Sequence, residues 1–207
     1  MTADEIIDGL LEREGGWRDA VLRPDGSVDP ATNMGITLPT LREHADLLVG
    51  MGVPGNHSTW QEALWALTAE QASVIYRKVY VLDPGFTPEN IPFEPLRVQL
   101  IDFGVNSGPE RAVRWLQRVL DLFEPLRGSE YTNNSEYVRL TFSGKMDERL
   151  IARLKYAQNC HALPLVNDAL VAARSYMVDR AVDQGIMRKQ DEEGVESRAL
   201  GFFLAVP

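Results

Sequence analysis

One cysteine stands in a chain of 207 residues. Cys160 therefore has no partner for an internal disulfide, and with three scattered histidines a Cys/His zinc cluster is excluded. A core that needs no oxidation is compatible with a reducing cytoplasm. Long apolar runs are missing too. None approaches the ~20 residues of a membrane span, so no membrane insertion is expected. Positive charge is scarce: 21 Lys and Arg against 30 Asp and Glu leave a net charge of −9. That balance disfavours nucleic acid, since phosphate binding needs clustered cations, and it disfavours simple adhesion to anionic membranes. The opening Met-Thr-Ala-Asp-Glu-Ile-Ile holds two acids where a secretory signal needs a basic region. Synthesis in the cytoplasm is expected, with any export supplied from elsewhere. A sugar polymer, bound by hydrogen bonds and apolar contact, is not excluded.

What is present is enough for a packed core. The chain is 44% apolar and 25% charged, ordinary for one globular domain or a domain with a smaller companion. Thr2 and Glu5 form a capping box, so a helix is expected from residue 3 to the Gly15-Gly16 stop, with Ile6, Ile7, Leu10 and Leu11 on one face. Residues 17–37 lack helical period and contain Asp25-Gly26 and Asp29-Pro30, which predicts a loop or short hairpin. Further helices are expected near 38–48, 60–67, 69–80, 96–106, 109–122, 146–157 and 162–184, several placed by Thr caps or first-turn prolines. Val138, Leu140 and Phe142 alternate with polar residues and suggest one short strand. An apolar tail around Leu200 to Leu204 is expected to dock on the body. The fold class is mainly α, with a small loop or β-hairpin insertion after the first helix.

Glu14 occupies an odd position in this scheme. It continues the Ile6, Ile7, Leu10, Leu11 stripe, so it is expected on the buried face, in the last turn beside the negative end of the helix dipole. Burial and dipole both push its pKa upward. A carboxyl kept protonated near neutral pH is what a glycosidase needs to protonate a leaving-group oxygen. The plainer alternative is an outward Glu at a frayed end, or one paired with Arg13 or Arg18. The residues after Glu14 shift the balance: Gly15-Gly16 permits a sharp exit and close backbone approach. Asp25 and Asp29 then lie in a loop able to fold back over the helix end, with Thr32, Asn33 and Thr37 beside it. Helix Glu, loop Asp, then hairpin Thr is a workable layout for a two-carboxylate hydrolase.

Glu14-Gly15-Gly16-Trp17 followed by Thr32-Asn33-Met34-Gly35-Ile36-Thr37 resembles the signature of the glycoside hydrolase family 108 N-acetylmuramidases. The likeness continues through Ala63-Leu64, Ala66-Leu67-Thr68 and Tyr76-Arg77-Lys78-Val79-Tyr80. It returns in Asp102-Phe103-Gly104-Val105-Asn106-Ser107-Gly108-Pro109, which looks like the peptidoglycan-binding domain that accompanies such muramidases. The resemblance implies a lysozyme-like fold, with a muramidase region over 1–92 and a helical peptidoglycan-binding region over 93–207, packed as one body. It implies cleavage of the N-acetylmuramic acid to N-acetylglucosamine linkage, with Glu14 as the catalytic glutamate and no metal or organic cofactor. The expected partner is the peptidoglycan glycan strand, met by a monomer in the periplasm or wall after release through a holin or delivery by a secretion machine. In the loop the chain departs from the family, with Asp-Gly-Ser-Val-Asp-Pro-Ala before Thr32 in place of a Gly-Gly pair. Asp29 keeps the Asp-Pro pair and Asp25 the Asp-Gly turn, so either is a candidate second carboxylate, Asp29 the preferred one. A non-catalytic glycan binder, a lytic transglycosylase using Glu14 alone and an adaptor subunit of a secretion or tail complex are the rivals.

Secondary candidates carry a structural alternative each. Gln99, Asp102 and Asn106 form a polar stripe on an apolar helix, able to line a sugar groove or to join helices in a satisfied network. Trp17 is a candidate wall of a sugar subsite, or a core residue. Tyr76 is a candidate groove residue, whereas Tyr80 is expected in the core. Trp60, Trp65 and Trp115 sit at core spacing and receive no chemistry. Cys160 and His161 point about 100° apart on a helix and make poor partners, so a buried Cys beside an incidental His is expected.

Overall fold

The computed structural model describes residues 2–22, 26–52, 59–122, 140 and 142–183. Asp25, His57, Val138 and the tail from Leu200 to Leu204 lie outside them. The fold is mainly helical, with small antiparallel strands, as a lysozyme-like architecture requires. It divides into two compact units, Met1–Asp83 and Pro84–Pro207, where the sequence suggested a boundary at 92/93.

The first unit opens with α1 (Ala3–Glu14). Both capping-box bonds form: the Glu5 amide donates to Thr2 Oγ1 at 3.2 Å, and the Thr2 amide to Glu5 Oε2 at 2.7 Å. Ile6, Ile7 and Leu10 are buried, and the helix packs on α4 (Ala69–Arg77). Five two-residue strands follow. β1 (Trp17–Arg18), β4 (Thr32–Asn33) and β5 (Ile36–Thr37) make an antiparallel sheet in the order β1-β4-β5, while β2 (Val21–Leu22) and β3 (Val28–Asp29) form a separate hairpin. Thr37 then caps α2 (Leu38–Glu43) by accepting from the Thr40 amide. The helix expected over 38–48 is broken at His44 and continues as a 3-10 turn, Ala45–Leu48. α3 (Trp60–Trp65) is short, and α4 has a second capping box, Thr68 with Gln71. Beyond Arg77 the chain widens into a π-turn, Lys78–Leu82.

In the second unit α5 (Glu94–Ser107) is buried on nearly every side, the mark of a central helix. It packs on α6 (Pro109–Leu122) and α8 (Leu163–Asp183), with α7 (Glu148–Asn159) against α8. The predicted strand is absent where described: neither Leu140 nor Phe142 has a ladder partner. The residues after them are held instead by Gln117. Its amide nitrogen donates to Ser143 Oγ and the Lys145 carbonyl, and its oxygen accepts from the Gly144 amide at 3.1 Å. Cys160 is exposed rather than buried, because it is the C-cap residue of α7. His161 comes next at φ +54°, the left-handed residue of that helix end.

Candidate active site

Glu14 ends α1, and the chain leaves through Gly15 at φ 64°, ψ −153°. Only glycine tolerates that backbone region. A Cβ there would meet nothing within 4 Å, so the requirement is conformational and not one of space. The carboxyl is exposed, against the expectation of a buried one. The apolar stripe stops at Leu10 and half-buried Leu11, and the described residues from Glu12 to Leu22 are exposed. Glu14 is one step beyond the last neighbour able to cover it.

On one side, nevertheless, Glu14 has a defined wall. A Cβ on Gly35 would lie 2.9 Å from Glu14 Cγ, 3.0 Å from its Cδ and in collision with the Tyr76 hydroxyl oxygen. Three groups thus converge on a spot that only glycine leaves open. Gly35 sits in the two-residue turn between β4 and β5, where Met34 and Gly35 have φ of 49° and 75°. Positive φ at both central positions is what a type I′ hairpin demands. Met34 carries this strain as a non-glycine residue, and both its backbone groups are tied down. Its amide donates to the Gly16 carbonyl at 3.2 Å, and its carbonyl accepts from Tyr76 Oη at 2.6 Å. The glycine pair, the turn and α4 are thereby locked together around Glu14.

Tyr76 is buried, and Tyr80 of the π-turn stacks on it with ring centroids 5.8 Å apart. Burial first, and then the Glu14 carboxylate, push the hydroxyls of both tyrosines above the usual phenol range. π-turns recur at functional sites. Here the turn sets Tyr80 half-exposed beside the carboxylate, where sequence reasoning expected a core residue.

The remaining candidates divide sharply. Trp17 is 37% exposed, and its Nε1 donates to Asp19 at 2.8 Å. Its ring is thus an open wall next to the Gly-Gly exit. Asp29 is half-buried on β3, opposite Val21. Thr32 and Asn33 are buried. The Asn33 amide donates to the carbonyls of Leu64, Trp65 and Leu67 at 3.0–3.2 Å. That closes the C-terminal end of α3, which makes Asn33 a positioning group and not a sugar contact. Thr37 serves as the α2 cap. Asp102 is wholly buried in the second unit and accepts from Arg174 Nη2 at 2.7 Å, with that guanidinium 4.9 Å from the Phe103 ring. Asn106 is exposed but donates back to the Asp102 carbonyl at 2.6 Å. The polar stripe on α5 is therefore a helix-joining network, the second of its two readings. Trp60 and Trp65, expected in the core, are 37% and 68% exposed because α3 is too short to bury both.

The glycosyl hydrolase 108 family model matches residues 7–108. Residues 7–108 belong to that family. The chain is a glycoside hydrolase, and the family indicates peptidoglycan hydrolase activity. The matched segment contains Glu14, Trp17, Asp29, Gly35, Tyr76 and Tyr80. Among solved structures, the chain is similar to "Structure of Brucella abortus SagA". Identity is 24% and the TM-score 0.53, with 97% of this chain and 94% of that one covered. A comparison with curated proteins finds no match. Sequence reasoning named the hairpin motif but gave Gly35 and Met34 no role. Met34-Gly35 is not one of the usual type I′ pairs, so the turn was not legible from the sequence.

Proposed function

We propose that the protein hydrolyses the linkage between N-acetylmuramic acid and N-acetylglucosamine in peptidoglycan, with Glu14 as general acid. One observation carries this reading. Glu14 is packed on one side against Gly35 and Tyr76, and open on the other, within the matched segment. An open face lets a glycan reach the carboxyl, and the packed face holds its direction. Tyr76 has committed its only proton to the Met34 carbonyl, so it does not donate to Glu14, and the Glu14 proton is left for the glycosidic oxygen. Asp29 is the second carboxylate in this scheme. It stabilises the developing oxocarbenium ion or activates water from the β2–β3 hairpin. Trp17, its N–H engaged by Asp19, presents a ring face to sugar. The workplace is the periplasm or wall, reached through a holin or a secretion machine.

The test is sugar-end analysis of purified peptidoglycan digested by the wild type and by Glu14→Gln. New reducing muramic acid ends from the wild type, lost in a folded Glu14→Gln, are the expected result. Anhydro ends assign the chain to the lytic transglycosylases instead. No fragments from several wall types would leave a glycan-binding protein.

A further inference from the structure

Trp65 takes no part in the packing around Glu14, yet at 68% it is far more exposed than Trp17 or Trp60, each at 37%. Its location follows from Asn33. Trp17 and Asn33 are direct partners across β1 and β4, and partners in an antiparallel pair send their side chains to the same face. The Asn33 side chain reaches the carbonyls of Leu64, Trp65 and Leu67. Trp17 therefore leaves the sheet on the face toward the end of α3, where Trp65 is the last helical residue. Two exposed tryptophans thus have their backbones on one side of the sheet, and the nearer to Glu14 follows it after only the glycine pair. Nothing packs Trp65 into the core, and its backbone is pinned by Asn33, so the ring is presented from a fixed base.

We propose that Trp65, with Trp17, forms an aromatic subsite that stacks on an N-acetylhexosamine ring of the glycan strand next to Glu14. The subsite rests on the proposed glycan substrate and names a binding residue for it. An indole face is a negative quadrupole, suited to the row of C–H bonds on one face of a pyranose chair. With a net charge of −9 the chain has little long-range attraction for an anionic polymer. Affinity must come from short-range contact, and exposed aromatic rings supply it at low conformational cost.

The test uses full-length protein carrying Glu14→Gln, so that binding is read without cutting. The probe is soluble glycan strands freed of peptide by an amidase. Adding Trp65→Ala weakens binding about tenfold, or ~1.4 kcal/mol. Trp65→Phe recovers most of that, and Trp60→Ala on the same helix changes nothing. In the cutting-competent chain Trp65→Ala raises KM with kcat retained. Unchanged binding by Trp65→Ala, an equal loss in Trp60→Ala, or no detectable binding in the parent overturns the subsite. If the wild type cuts while Trp65→Ala cuts and binds as well, the subsite falls and the hydrolase reading stands. If the wild type cuts nothing but Trp65→Ala still loses binding, the subsite stands and the hydrolase reading falls.

Discussion

The two units treat their carboxylates in opposite ways. In the second, Asp102 is wholly buried and locked to Arg174, itself 4% exposed, between long regular helices. In the first, Glu14 is exposed at a helix end, among two-residue strands, a strained Met34 and glycines at positive φ. Both residues belong to recognisable motifs within the matched segment. The difference teaches that a motif carboxylate can serve chemistry only where the fold leaves it reachable, which holds for Glu14 and not for Asp102. Asp102 has an ion pair with Arg174 in low dielectric, which offsets the desolvation of both charges. Glu14 keeps one face for a ligand.

The largest effect that can break this comparison is on turnover. Glu14→Gln should lower the rate of glycan cleavage by roughly 10²- to 10⁴-fold, the usual worth of a general acid. An exposed position should leave the denaturation midpoint nearly unchanged. Asp102→Ala should do the reverse. It strands Arg174 in the core and costs about 3–5 kcal/mol in denaturant unfolding. If Asp102→Ala proves as stable as the wild type while losing only activity, the division into a reactive and a structural carboxylate collapses.

Local patterns were the legible part of this chain. Caps, prolines and periodicity located α1, α4, α6 and α8 closely, because those signals act within a few residues. The segment around Glu14 was legible as a resemblance, whereas the periodic stripe that placed Glu14 on the buried face was overturned. The illegible part depends on contacts distant in sequence. Exposure of Glu14 hinges on where packing against α4 stops, which a periodic stripe does not show. Asn33 reads as a polar site residue until α3 is seen to place three carbonyls in front of it. Asp102 reads as a groove residue until Arg174, 72 positions later, reaches it. Trp65 sits at core spacing, but a helix of six residues buries only one face.

A smaller effect sharpens the contrast from the side of the first unit. Gly35→Ala imposes a Cβ both on a left-handed backbone and on the space held by Tyr76 Oη and Glu14. It should cost about 1–3 kcal/mol and depress turnover as well. Part of that loss is steric and comes from the tyrosine oxygen, so adding Tyr76→Phe should recover some of it. Purely additive losses in the double variant would mean that the three groups do not share the space, and the wall behind Glu14 would have to be abandoned.

The smallest effect is a pH dependence carried by the tyrosine pair. The Tyr76 and Tyr80 hydroxyls are held above the ordinary phenol value of 10.0, by burial first and the Glu14 charge second. A raised value in the folded state means that the unfolded chain releases these protons first. The stabilisation is therefore complete below pH 10, then falls as pH climbs through the folded values, because the unfolded state binds fewer protons there. Ultraviolet titration of tyrosinate should show a late fraction in the folded protein that is absent after denaturation. Glu14→Gln removes the second cause and leaves the first, so it should move that late fraction downward without restoring it to the ordinary value. An unmoved fraction would place the Glu14 carboxylate too far from the tyrosines to act as their neighbour. A fraction fully restored would make charge, not burial, the dominant cause.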